Sequence, residues 1–165
     1  MLREYQSLKD FPFSAVMSIY EETNRKTGKS RYPDELPERQ VALAEGELYN
    51  YLRDVFFSQP GAKYYLWLVG DRPVSALRIE PYRDGFLVSA METAPESRSH
   101  GYAKALLQAV IHGMVPVLLY SHIHHRNAAS IAVHTACGFR KIRDCAVTLD
   151  GTFTSKMGTY FLEIQ

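Results

Sequence analysis

The sequence predicts an α/β protein, with one mixed sheet of about six to seven strands flanked by about four helices. Two observations carry this. Apolar residues recur at helical spacing as far as Phe56, then gather into strand-length runs from Tyr64 onward. Between Phe86 and Met114 an apolar run, a glycine turn and an amphipathic stripe follow one another, as a strand, a turn and a helix packed on a sheet would.

Phe11 to Thr27 reads as a first helix, with Phe13, Val16, Met17 and Tyr20 on one face and a stop near Gly28. Pro37 suits the opening turn of a longer helix, where its missing N–H has no partner to lose. Val41, Ala44, Leu48, Tyr51, Leu52, Val55 and Phe56 form that helix's buried stripe, and Gln59-Pro60-Gly61 ends it. Tyr64 to Val69, a turn at Gly70 to Pro73, and Val74 to Glu80 make a hairpin. A second turn, Pro81 to Gly85, leads into Phe86 to Thr93, which is apolar on both faces and therefore central. Ala103, Leu106, Leu107, Val110, Ile111 and Met114 mark a third helix, and Val117 to Ser121 a short buried strand. Asn127 to Cys137 is a short helix stopped by Gly138, and strands around Phe139 to Leu149 and Met157 to Ile164 complete the order.

Composition narrows the function classes. A chain of 165 residues, 46% hydrophobic and 22% charged, has the size and balance of one domain with its own core. Lys plus Arg number 19 against 18 Asp plus Glu, so no net field recruits nucleic acid or an anionic membrane, and neither partner is expected. Any anion is captured locally. Cys137 and Cys145 have neither the number nor the spacing of a disulfide framework or zinc site. The charged opening Met1 to Gln6 lacks a signal peptide's apolar stretch and nothing later reaches the length of a membrane span, so a cytoplasmic location is expected.

The chemistry concentrates after the central strand. A buried strand, a glycine turn and a helix N-terminus converge unpaired N–H groups and the positive end of the helix dipole, which is an anion site and suits phosphate. Gly101 permits close approach of the backbone, Ala103 keeps the first turn free of bulk, and Arg98 and Lys104 add positive charge. The lysine-hydroxyl pair of a Walker loop and the three-glycine spacing of a dinucleotide fingerprint are both missing.

The run Glu92-Thr93-Ala94-Pro95-Glu96-Ser97-Arg98-Ser99-His100-Gly101-Tyr102-Ala103 resembles the coenzyme motif of the GNAT acyltransferases, R-x-x-G-x-G/A after a strand and a Pro-Glu pair. Ser99 stands where that family often has glycine. A second block, Asn127 to Phe139, resembles the family's later helix and strand, N-x-x-S/A-x-x-x-Y/H-x-x-x-G-F. The resemblance implies a single domain over residues 1–165: N-terminal helices in 1–62 that shape an acceptor site, and a coenzyme-binding core in 63–165. It implies a splayed strand pair forming a V-shaped cleft for acetyl-CoA as co-substrate. Main-chain groups from Met91 to Thr93 would pair with pantetheine, amides of Ser99, His100, Gly101, Tyr102, Ala103 and Lys104 with the pyrophosphate, and Asn127 and Ser130 would sit by the coenzyme's other arm.

The implied reaction is direct attack by a primary amine on the thioester, leaving two proton transfers to assign. Glu92, a carboxylate among the apolar residues of the central strand, is the candidate acceptor of the amine's proton, with a salt bridge to Arg78 as its competing role. His134 stands where the family usually has tyrosine and is the candidate donor to the leaving thiolate, against a purely structural histidine. His122 is the reserve base. The cluster of His122, His124 and His125 has no nearby Cys or carboxylate to complete a ligand set, so no metal is expected. The expected acceptor is a small-molecule or peptide amine, held between the N-terminal helices, the turn near Tyr82 and the final strands, by a monomer or homodimer. Two other readings stay open, a non-catalytic acyl-CoA-binding or sensing module and a nucleotide-binding α/β protein.

Overall fold

The computed structural model describes residues 1–165. Seven strands form one sheet in the order β1 (Leu2–Tyr5), β2 (Lys63–Val69), β3 (Arg72–Tyr82), β4 (Gly85–Thr93), β5 (Val117–His124), β9 (Met157–Ile164) and β6 (Arg140–Arg143). A separate ribbon pairs β7 (Ala146–Val147) with β8 (Phe153–Thr154). Every neighbouring pair in the large sheet is antiparallel except β4 and β5. Helices α1 (Phe13–Met17) and α3 (Pro37–Asp54) lie over one face with α2 (Glu21–Arg31) packed on α3. Helix α4 (Tyr102–His112) covers the other face, beside α5 (Ala128–Ala136).

Strand alternation divides the hairpin of β2 and β3 between two cores. Tyr64, Leu66 and Ala76 join Val16, Ile19, Leu52 and Phe56 on one side. Tyr65, Leu77 and Ile79 join Leu106, Leu107 and Val110 of α4 on the other. Burial on both faces is why these strands read as nearly continuous apolar runs, and each fully buried aliphatic side chain contributes about 1.5–3 kcal/mol.

Four features depart from the expected elements, each for a tertiary reason. Strand β1 carries no sequence signal, because Arg3 and Glu4 interrupt its alternation; β2 recruits it as an edge through the Leu2–Trp67 to Tyr5–Tyr64 register. The helix expected over Phe11 to Thr27 is broken between Met17 and Glu21. There the Tyr20 hydroxyl donates to the Ala90 carbonyl at 2.8 Å and accepts from the Tyr64 hydroxyl at 2.7 Å, tying the break to the sheet. Gly28 does not stop α2; it is the point where α3 packs, and a β-carbon there would lie 2.3 Å from the Gln40 carbonyl oxygen. The single strand expected over Phe139 to Leu149 divides into β6 and β7. His125 Nε2 holds the turn between them, within 3.2 Å of the Asp144 carbonyl and 3.1 Å of the Ser155 carbonyl.

Candidate active site

Strands β4 and β5 pair only from Phe86–Leu119 to Val88–Ser121, although β4 continues to Thr93 and β5 to His124. Beyond Val88 they part, leaving the facing edge of β4 without ladder partners. On its other edge β4 carries one residue more than β3 between the Arg78–Ser89 and Ala76–Glu92 pairs, a bulge with Ala90 at φ 48°. The left-handed conformation costs an alanine roughly 1–2 kcal/mol. The bulge also resets the alternation. Ser89 reaches the buried Glu80 carboxylate and Glu92 reaches Thr23 of α2, while Met91 packs toward the α4 side.

After β4 the chain turns through Ser99 (φ 64°) and Gly101 (φ 78°) into α4. No side chain caps this helix, and Ala105 N–H is the first to bond back, to Gly101 O at 2.9 Å. The amides of Tyr102, Ala103 and Lys104 therefore have no intrahelical acceptor. They border a cleft of 790 Å³ enclosed by the open end of β4, α4, α5 and α2. Lys104 and Lys26 line it and neither is in an ion pair. Arg98 braces the turn, donating to the Glu22 carboxylate at 2.9 Å and to the Thr93 carbonyl at 3.3 Å.

Of the residues expected from the sequence, Met91, Glu92 and Thr93 line this cleft from β4, and Asn127 and Ser130 from α5. Arg98, Ser99, Gly101, Tyr102, Ala103 and Lys104 line it from the turn and α4. Asn127 is also the cap of α5, its Oδ1 accepting from Ser130 N–H at 3.1 Å. His100 is not among the lining residues; its ring stacks on Tyr102 at 5.6 Å and lies 2.7 Å from the Arg98 carbonyl.

His134 is likewise absent from the cleft wall. It is 2% exposed, its ring edge-on to Phe139 at 5.1 Å, with Nδ1 2.8 Å from the Ser130 carbonyl. A carbonyl only accepts, so Nδ1 carries the proton and Nε2, buried without a partner, is left as a lone pair. Burial holds this imidazole below its ordinary value, favouring the neutral form. The geometry is that of a core histidine. His122 is absent from the cleft wall too, packed edge-on against Tyr82 at 5.1 Å, and burial, then Arg83, holds it down. Cys137 sits against the Lys104 carbonyl, and burial pushes its thiol up, away from the nucleophilic form. No three His, Cys, Asp or Glu side chains converge as metal ligands would.

A second cavity, of 560 Å³, opens between the sheet and helices α2 and α3. Tyr20, Leu48, Tyr51, Tyr64 and Ala90 supply much of its wall, and Arg31, Glu47, Arg78 and Glu92 its charges. Two residues, Thr23 and Glu92, border both cavities. Glu92 accepts from the Thr23 hydroxyl at 2.7 Å and makes no salt bridge to Arg78. Burial raises the Glu92 carboxyl above its usual range, more than the Thr23 hydrogen bond lowers it. The turn at Tyr82 and the final strands, expected around an acceptor, do not line this cavity. Tyr82 is committed elsewhere, its hydroxyl donating to the Val147 carbonyl at 2.7 Å and its ring packed on Tyr120.

Sequence reasoning missed Glu22, Thr23 and Lys26, which reach the first cleft from α2. Their spacing marks one face of a helix and nothing more. Arg78 had a usable signal, a charge at an inward-alternating position of a central strand, next to Ala76 and Glu80 on the same face.

The family model described as the acetyltransferase (GNAT) family matches residues 15–139. A search of curated proteins finds no match. Among solved structures, the PaiA N-acetyltransferase of Thermoplasma acidophilum in complex with coenzyme A has a TM-score of 0.62 at 10% identity, with 99% of each chain covered. The ribosomal-protein-alanine N-acetyltransferase of Brucella melitensis has a TM-score of 0.59 at 20% identity, covering 99% of this chain and 98% of its own. The spermidine N-acetyltransferase of Vibrio cholerae, in complex with CoA and spermine, has 0.60 at 13%, covering 99% and 95%. At such identities the likeness is one of fold. With the family model spanning both the parted strands and the glycine turn, the chain belongs to the GNAT family of acetyltransferases.

Proposed function

We propose that this protein transfers an acetyl group from acetyl-CoA to a primary amine by direct attack, with Glu92 as general base. The carrying observation is the position of Glu92 at the junction of the two cavities, one bordered by unpaired amides and free lysines, the other by helices α2 and α3. The Thermoplasma structure, which holds coenzyme A, supports assigning the first cavity to the coenzyme. Its pyrophosphate would meet the amides of Tyr102 to Lys104 with Lys26 and Lys104, and its pantetheine the open edge of β4.

An amine entering from the second cavity reaches the thioester at Glu92. The amine must be neutral to attack, and a carboxylate whose affinity for protons is raised by burial is suited to take its proton. The nitrogen lone pair forms the new C–N bond, and the oxyanion would be received by main-chain amides on the edge of β4 left open past Val88. Collapse breaks the C–S bond and releases CoA thiolate, which is protonated from the solvent open to the cleft. His134, with its only proton already donated to Ser130, is then a positioning residue that holds α5.

Acetyl-CoA-dependent thiol release across amino acids, polyamines, amino sugars and peptide N-termini tests the reading. Turnover with at least one amine, lost in Glu92→Gln while acetyl-CoA still binds, is the expected result. Tight acetyl-CoA binding with no thiol release from any amine would leave a non-catalytic binding module instead.

A further inference from the structure

The second cavity contains a cation with nothing to neutralise it. Arg78 projects from β3 on the face shared with Ala76 and Glu80, and its guanidinium lies over the rings of Tyr51 at 5.1 Å and Phe56 at 5.6 Å. Its Nε and Nη1 are shielded from solvent and have no hydrogen-bond partner, and no carboxylate lies within salt-bridge distance. The nearby acids are all engaged. Glu80 accepts from Tyr51 at 2.8 Å and from Ser89 at 2.9 Å, Glu47 takes Arg31 and Tyr32, and Glu92 takes Thr23. Every other arginine in a salt bridge is on the surface, where water shares the load.

A partly buried guanidinium without a counter-ion is expensive, and aromatic faces compensate only a small part of that cost. Its planar fork of donors matches a carboxylate in two parallel hydrogen bonds. Glu92 lies on the neighbouring strand, across the pairs Arg78–Ser89 and Ala76–Glu92, a separation of about 7 Å along the strands. Both side chains border the same cavity, which has the volume of a small-molecule site. One end of the cavity is therefore fitted to a proton-releasing amine and the other to an anion.

Resting on the proposed acetyl transfer, we infer that the acceptor is a free amino acid, its amine at Glu92 and its carboxylate paired with Arg78. Polyamines and amino sugars lack the group that would satisfy this arginine, and a peptide's carboxylate is too far from its N-terminus. The aromatic and aliphatic walls from Tyr20, Leu48, Tyr51 and Tyr64 then face the side chain.

The test compares the common free amino acids with their carboxamides and the corresponding decarboxylated amines, by thiol release and by calorimetric titration into the protein–CoA complex. At least one amino acid should have a kcat/KM tenfold or more above its carboxamide. Arg78→Met should raise KM for that amino acid at least tenfold, leave KM for the carboxamide and the affinity for acetyl-CoA unchanged, and thereby erase the preference; Arg78→Lys should restore part of it. A purely structural arginine would move both substrates together. Preference for carboxamides or amines without a carboxylate, or the same preference in Arg78→Met, overturns the inference while leaving acetyl transfer standing. Amino-acid binding that depends on Arg78, without any thiol release, upholds the anion site and overturns acetyl transfer. Absence of both binding and turnover for every amino acid overturns the inference outright.

Discussion

The two cavities that meet at Glu92 are made of different material. Much of the wall of the larger cleft is main chain: the open edge of β4 past Val88, the left-handed turn through Ser99 and Gly101, and the uncapped start of α4. The second cavity is bounded by side chains from five elements, with tyrosines, a free arginine and engaged acids on its wall. Main chain offers the same groups whatever the residue, so the first kind of site depends on conformation. The second depends on identity. One fold can thus keep a coenzyme while its acceptor changes.

That contrast can be broken by substitutions chosen on each side. The largest effect is expected from Glu92→Gln, which removes the base: kcat should fall about 100-fold or more with acetyl-CoA affinity unchanged. In the native protein kcat/KM should rise with pH through a midpoint above the ordinary carboxyl value of 4.5, because burial raises Glu92 and only its ionised form accepts the proton; the variant should lose that limb. Gly101→Val should act on the coenzyme alone. No atom stands within 4 Å of a β-carbon there, so the penalty is the positive φ, roughly 1–2 kcal/mol, felt as about a tenfold weaker acetyl-CoA affinity by calorimetry with KM for the amine unaltered.

A smaller effect separates structure from catalysis at His134. Its proton affinity is depressed by burial, so on acidification the unfolded chain binds the proton first. Its effect on stability is therefore absent above about pH 6.5 and appears as a loss of stability as pH falls below that value. His134→Phe should flatten that part of the curve in urea titrations at several pH values, leaving the slope from His122, which has the same sign. An acid limb of kcat that survives in His134→Phe would mark Glu92 as its source. The smallest change is expected from Ser99→Gly, which relieves a left-handed serine and should raise stability by about 1 kcal/mol or less without altering either substrate's KM.

How far the sequence could be read follows the same division. The glycine turn, the central strand before it and the helix after it are local in the chain, so Met91 to Thr93 and Arg98 to Lys104, with Asn127 and Ser130, could be named in advance, and of these all but His100 line the cleft. His134 illustrates the limit of spacing. Seven residues after Asn127 places it near the same helix face, yet the side chain turns behind Ser130 into the core beside Phe139. The edge strand β1, the break at Tyr20 and the division between β6 and β7 were illegible because each is held by a partner distant in sequence: Trp67 and Tyr64, Ala90, and His125.

By itself the sequence determined the α/β class, the order of the principal elements and the glycine turn into α4, because hydrophobic period and a glycine before a helix act over neighbouring residues. Only the tertiary structure decided that α2 closes the larger cleft with Lys26, that a bulge turns Glu92 toward the helices, and that Arg78 faces a second cavity whose acids are engaged elsewhere. Those outcomes depend on which side chains meet after strands register and helices dock. Such meetings are set by packing across the whole chain, and no local pattern encodes them.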